Sequence, residues 1–156
     1  MGRLYDTLVM YLQEDEWKFT RLEGEETVVL TFNCTNATYL CYAQAREAQQ
    51  QIVFYTIYPL HAPEEKRQQA AEFTARVNYG LGLGNLELDM NDGEVRYKTS
   101  ADVGAAPFTL PLLRSLMQIN LSTADRYYPA FAAMLYANAT PADAVASVEG
   151  RIRLQD

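Results

Sequence analysis

The amino-acid sequence predicts an α+β fold: an antiparallel β-sheet of about five or six strands, with an N-terminal helix, a central crossover helix and C-terminal helices. Three observations carry that reading. Strand-length segments rich in Val, Ile, Thr, Tyr and Phe crowd residues 17–58 and return over 86–99. Apolar residues recur at helical spacing near the N-terminus, after residue 63 and through the last third of the chain. Finally, 156 residues with 49% hydrophobic and 21% charged content suit one globular domain over 1–156, a length that buries roughly 70% of the unfolded chain's surface.

Residues 3–13 set Leu4, Leu8 and Tyr11/Leu12 on one side of a helix, with Val9 beside them, and the acidic run Glu14-Asp15-Glu16 ends it. Trp17–Leu22 alternates as a strand does, and Glu23-Gly24-Glu25 turns the chain. Strands are then predicted over Thr27–Asn33, Thr38–Gln44 and Gln51–Tyr58, in the simplest topology antiparallel neighbours joined by short turns. Both of their faces are apolar. Ile52 and Phe54 point one way while Val53, Tyr55 and Ile57 point the other; Val28, Leu30 and Phe32 share a face with Val29 opposite. A sheet with one wet face alternates apolar with polar instead, so cover is expected on both sides.

Pro63 suits a first helical position, Glu64 and Glu65 complement the helix dipole, and Ala70, Phe73, Val77 and Leu81 form the buried stripe. Gly80 or Gly82 ends that helix. The run Gly80-Leu-Gly-Leu-Gly84 is no dinucleotide loop, because such a loop follows a strand and opens a helix, and here the order is reversed. Residues 86–100, LELDMNDGEVRYKTS, invite comparison with a calcium loop. Counted from Asp89, however, Gly93 falls at the fifth position and Ser100 at the twelfth, where Gly at the sixth and Glu are required. A hairpin turning at Asp92-Gly93 fits better. It pairs Met90 with Val95, Leu88 with Tyr97 and Leu86 with Thr99 on one face, and Asp89 with Arg96 and Glu87 with Lys98 on the other.

Beyond it, Phe108–Leu121 carries Leu112, Leu113, Leu116 and Ile119 on one side. Ser122 is expected to cap a second helix with Tyr127, Phe131, Met134 and Leu135, kinked or delayed by Pro129. Thr140-Pro-Ala-Asp143 supplies a cap, a first-position proline and an early acid for a last helix that runs through Val145 and Val148 to Gly150.

Several function classes fall away. A net charge of −7 with no Lys/Arg run argues against a nucleic-acid partner. No apolar stretch reaches the ~20 residues of a membrane span. The N-terminus lacks a secretory pattern, so a cytoplasmic protein is expected, with the Asn-x-Ser/Thr matches at Asn33, Asn36, Asn120 and Asn138 serving as turns and caps. One histidine, His61, and two cysteines do not assemble a metal site. A Cys34 or Cys41 nucleophile would have to meet His61 in space, whereas both lie in apolar strands where a thiol acts as a small hydrophobe. With no nucleophile elbow, Walker loop or zinc-protease motif, neither catalysis nor a cofactor is expected. The excess of tyrosine, 11 against a single Trp, suits surfaces that are apolar yet keep a polar handle. Tyr39, Tyr42, Val53, Tyr55 and Ile57 are the candidate interface.

Three segments carry a family resemblance: Leu83-Gly-Asn-Leu-Glu-Leu-Asp89 with Asp92-Gly-Glu-Val-Arg-Tyr97, Arg126-Tyr-Tyr-Pro-Ala-Phe131, and Thr140-Pro-Ala-Asp-Ala-Val145. Over residues 5–149 the chain resembles the YbjN-type family, described as bacterial sensory transduction regulators. The family's fold is similar to that of type III secretion chaperones, small acidic dimers that hold partner segments. The resemblance implies no catalytic residue. The expectation is therefore a non-enzymatic protein-binding or regulatory module, a homodimer that holds a partner polypeptide. The alternative is a small-molecule sensor or enzyme with a pocket between the sheet and the C-terminal helices.

Overall fold

The computed structural model describes residues 2–150, so the last residues of the domain predicted over 1–156 lie outside it. Helix α1 (Arg3–Glu14) is followed by strands β1 (Thr20–Arg21), β2 (Thr27–Asn33), β3 (Thr38–Arg46) and β4 (Gln51–Ile57). Helix α2 (Arg67–Tyr79), strands β5 (Asn85–Leu88) and β6 (Val95–Asp102), and helices α3 (Leu110–Tyr136) and α4 (Pro141–Glu149) complete the chain. The strands form one six-stranded antiparallel sheet in the order β1-β2-β3-β4-β6-β5. After β4 the chain crosses over through α2 to the far edge, and β6 returns to fill the gap. This is the predicted α+β architecture.

Alternation along the strands decides which side chains meet the helices. Val28, Leu30, Cys41, Ala43, Ile52 and Phe54 share one face by register. They join Leu8 and Leu12 of α1, Phe73 and Val77 of α2, and Leu113, Met117 and Phe131 of α3 in a single core. Each Val, Leu, Ile, Phe or Met among them contributes ~1.5–3 kcal/mol on burial.

Three local expectations change. The strand predicted over Trp17–Leu22 shrinks to Thr20 and Arg21. The Trp17 amide instead donates back to the Leu12 carbonyl (2.9 Å), and its ring meets Phe32 edge-on at 5.1 Å, so this backbone is satisfied away from β2. β3 runs past Gln44, because Ala45 and Arg46 still pair with Ile52 and Gln51. Pro63 precedes a 3-10 turn over Glu64–Lys66 rather than the α-helix itself, which begins at Arg67 and ends at Gly80.

The β5–β6 hairpin departs in register. Leu86 faces Tyr97 and Leu88 faces Val95, not Thr99 and Tyr97. The turn is longer than the predicted Asp92-Gly93 pair: the Gly93 amide donates to the Asp89 carbonyl (2.8 Å) and the Asp89 amide to the Glu94 carbonyl (2.9 Å). The carboxylates of Asp89 and Asp92 accept from the amides of Asn91 and Glu94 at 2.8 and 2.9 Å. Gly93, at φ +79°, lies so close to the Ala62 carbonyl that a Cβ would overlap it. A slip of two residues keeps every side chain on its face, so the wet, ion-paired side of the hairpin survives. At the sheet's edge the Asn78 side chain donates to the Leu86 carbonyl (2.9 Å) and accepts from its amide (2.8 Å), standing in for a neighbouring strand.

The largest change is in the last third. Helix α3 is continuous through both Ser122 and Pro129. Ser122 caps nothing; its hydroxyl donates back to the Ile119 carbonyl at 3.3 Å. Pro129 has no amide hydrogen, so the Asp125 carbonyl loses its usual donor one turn back. Asn36, in the β2–β3 turn, supplies the replacement through its side-chain amide (2.9 Å), and its backbone amide donates to the Asp125 carboxylate (3.0 Å). Tyr39 donates to the same carboxylate oxygen at 2.7 Å, and Tyr58 to the neighbouring Ala124 carbonyl at 2.8 Å. Replacement donors from the sheet let the helix tolerate its proline. The α4 cap matches the prediction, with the Thr140 hydroxyl accepting from the Asp143 amide at 3.1 Å.

Candidate functional site

The strand faces that look away from the core carry the remaining apolar surface. Val29, Tyr42 and Tyr55 lie side by side across β2, β3 and β4, and Leu40 and Ile57 form the next rung. Arg96 and Lys98 of β6 follow beside Ile57 and Tyr55. None of these side chains joins the helix-packed core, and among the described residues α1 to α4 gather on the other side of the sheet. Even so, Val53 is only 2% exposed and Tyr55 6%.

Long side chains from the face itself cover Tyr55. Arg46 donates from Nη2 to the Tyr55 hydroxyl at 2.9 Å and from Nε to Gln44 at 3.1 Å. The Arg96 guanidinium lies over the Tyr55 ring, 4.2 Å from its centre. Glu87 holds Arg96 through Oε1 (2.9 Å) and Lys98 through Oε2 (3.0 Å). Burial alone pushes the Glu87 carboxyl up, but the bonds from Lys98 and Arg96 outweigh it and hold the group below its ordinary value. The result is an open groove of about 420 Å³ bordered by Tyr42, Gln44, Arg46, Tyr55, Ile57 and Arg96.

Of the residues singled out in the sequence, Tyr42, Val53, Tyr55 and Ile57 come together on this face. Tyr39 does not: it is fully buried on the opposite side, bonded to Asp125. Arg46, Arg96 and Glu87 belong to the face and were missed. The available signal was strand parity, since Arg46 falls on the same side as Tyr42 once β3 is extended. His61 stands at the hairpin turn, its Nδ1 3.3 Å from the Asp92 carbonyl oxygen, while the Cys41 thiol lies mid-sheet against Thr56 at 3.4 Å. The region between β4, β6 and α3 is filled by Phe54, Tyr97, Met117 and Asn120, whose side-chain amide bonds the Phe54 and Tyr97 carbonyls at 2.8 and 3.1 Å.

Burial shapes the titration of the inner face. It pushes the Cys41 thiol from 9.0 to about 12 and raises Cys34 as well. Burial, then the hydrogen bond to Asp125, lifts the Tyr39 phenol far above its usual range, and burial does the same to Tyr58. These acids stay protonated in the folded chain after the unfolded chain has begun to ionise. Below pH 9 they contribute no pH dependence; as pH rises through 9 and 10 the unfolded state releases protons that the folded state retains, and stability falls. The melting temperature is therefore expected to drop steadily from pH 9 upward, and Cys41 to ignore thiol reagents until the chain is denatured. A melting temperature still flat at pH 11, or rapid native labelling of Cys41, contradicts this account.

No curated protein matches the chain by sequence. Among solved structures, YbjN from E. coli superposes with a TM-score of 0.65 at 15% identity, covering 84% of this chain and 93% of that one. A chain of the HopA1–SchA chaperone–effector complex gives 0.55 at 15% identity, over 76% of this chain and 88% of its own. A chain of the ExoT–SpcS complex from Pseudomonas aeruginosa gives 0.52 at 12% identity, over 80% and 97%. At these identities the likeness is one of fold. The sequence model of the YbjN family, described as "Putative bacterial sensory transduction regulator", matches residues 5–133, which takes in the sheet, the Asn36–Asp125 clasp and most of α3. The chain belongs to the YbjN family.

Proposed function

We propose that this protein is a non-enzymatic polypeptide-binding module, regulatory or chaperone-like in role, that acts in the cytoplasm as a homodimer. It holds a partner segment against the outer face of the sheet at Tyr42, Val53, Tyr55 and Ile57. One observation carries the reading: an antiparallel sheet lays aromatic and branched side chains along a face that none of the described helices covers. The accessible apolar part of that face is Leu40, Tyr42 and Ile57, set around the buried Val53 and Tyr55, and apolar surface rimmed by polar groups suits an interaction site. The fold shared with chains of chaperone–effector complexes supports the same reading.

The test places a charge on the face. Tyr42 and Ile57 are only half-buried, so Tyr42→Asp and Ile57→Asp leave the fold intact, as an unchanged melting temperature verifies. Each is expected to weaken binding of short extended peptides selected on the wild-type chain by roughly tenfold or more, the loss of a hot-spot contact. Light scattering reads the self-association, with twice the chain mass expected. Unaltered peptide binding in both variants defeats the proposal for this face, and a strictly monomeric mass defeats the dimer.

A further inference from the structure

We propose that Arg46 is a carboxylate anchor: the polypeptide held on the outer face presents an Asp or Glu side chain to this guanidinium, beside an apolar residue packed on Tyr42 and Ile57. The inference rests on the reading of this face as a polypeptide-binding surface and specifies what the polypeptide carries.

The charges on the face are unevenly paired. Arg96 and Lys98 share Glu87, and Asp102 is occupied by the amides of Gly104 and Ala105 at 2.9 and 3.2 Å. Glu25 and Glu94 border the groove without forming an ion pair with Arg46. Arg46 alone among these cations bonds only neutral acceptors, Gln44 and Tyr55. A guanidinium carries five N–H donors in a rigid plane, so these bonds leave donors unused while fixing the orientation of the fork. Tyr55 is itself immobilised, buried and covered by Arg96 at 4.2 Å. The anchor is thus organised before any ligand arrives, and a planar fork of N–H groups matches a carboxylate in two-point contact.

Charge also selects the occupant. The chain as a whole carries −7 and repels acidic partners, so a guanidinium with no carboxylate partner of its own, in a groove that Glu25 and Glu94 also border, gives an acidic segment one favoured landing place.

The experiment uses an array of short extended peptides in which acidic, amide and apolar positions are permuted. It is probed with the full chain, and the best binder is titrated by fluorescence anisotropy. Selected peptides are expected to carry Asp or Glu next to an apolar residue. Changing that acid to its amide is expected to weaken wild-type binding roughly tenfold, the scale of a lost hydrogen bond to a charged group. Arg46→Gln should weaken the acidic peptide by the same factor and leave the amide peptide unchanged. Arg46 is exposed, so an unaltered melting temperature verifies the fold of the variant. Equal binding of acid and amide by the wild type, or an equal loss of both in Arg46→Gln, overturns the anchor and leaves the peptide-binding reading standing. If no peptide binds and Arg46→Gln instead changes the mass seen by light scattering, the occupant is a second copy and both readings fall.

Discussion

Replacing Asp125 by alanine is expected to cost roughly 2–5 kcal/mol of folding stability, because two donors lose their acceptor at once, at ~1–3 kcal/mol for each buried group left unpaired. The carboxylate is 9% exposed and accepts from the Tyr39 hydroxyl at 2.7 Å and the Asn36 amide at 3.0 Å. Neither donor has another acceptor of comparable geometry within the clasp. Asp125→Asn retains an acceptor oxygen at the same place and should lose much less, about 1 kcal/mol. Tyr39→Phe removes one of the stranded donors, so the double variant Asp125→Ala/Tyr39→Phe should be less damaged than the sum of its parts. Urea titrations of the wild type and the four variants measure this. Asp125→Ala within about 0.5 kcal/mol of wild type, or strict additivity in the cycle, would show that the clasp does not hold the sheet to α3.

Phe131→Ala should be at least as severe, at about 3–5 kcal/mol. Phe131 is fully buried where three elements converge: its ring centre lies 5.4 Å from that of Tyr58 beside β4 and 5.7 Å from that of Phe73 in α2. The aromatic neighbours are rigid and Tyr58 is bonded to Ala124, so the site cannot collapse readily and the truncation leaves a cavity. For a chain of this length each kcal/mol lowers the melting temperature by about 2–4 °C, so a fall on the order of 6–20 °C is expected. Tyr136→Ala, at the 73% exposed end of the same helix, should change stability by less than ~0.5 kcal/mol. Calorimetry on the pair separates a core role from a helix-propensity effect. Similar losses in both variants would mean that Phe131 is not the keystone of the α2–α3–sheet junction.

How far the sequence discloses the fold depends on how far apart the decisive groups lie. The apolar stripe of α1 and the cap of α4 rest on residues within a turn or two of each other, and both stand as read. The two-sided apolar pattern of β2 and β4 is likewise local, and it sets Val53, Tyr55 and Ile57 on one side; strand pairing then brings Tyr42 beside Tyr55. The break at Ser122 and Pro129 fails because the group that rescues the helix, Asn36, is 89 residues from Asp125. The hairpin register fails for a shorter-range reason: Asp89 and Asp92 bind backbone amides inside the turn and lengthen it, so they are not free to pair across strands.

Periodicity, caps and composition therefore determined the class of fold, the order of its elements and the presence of two apolar sheet faces. They could not tell which of those faces the helices would take. Tertiary packing decided that: it drew Tyr39 inside against Asp125 and left Tyr55 outside under Arg96. Alternation along a strand divides side chains between two sides without labelling either. The label comes only when distant helices, with their own buried stripes and unpaired carbonyls, choose the side on which those groups are satisfied.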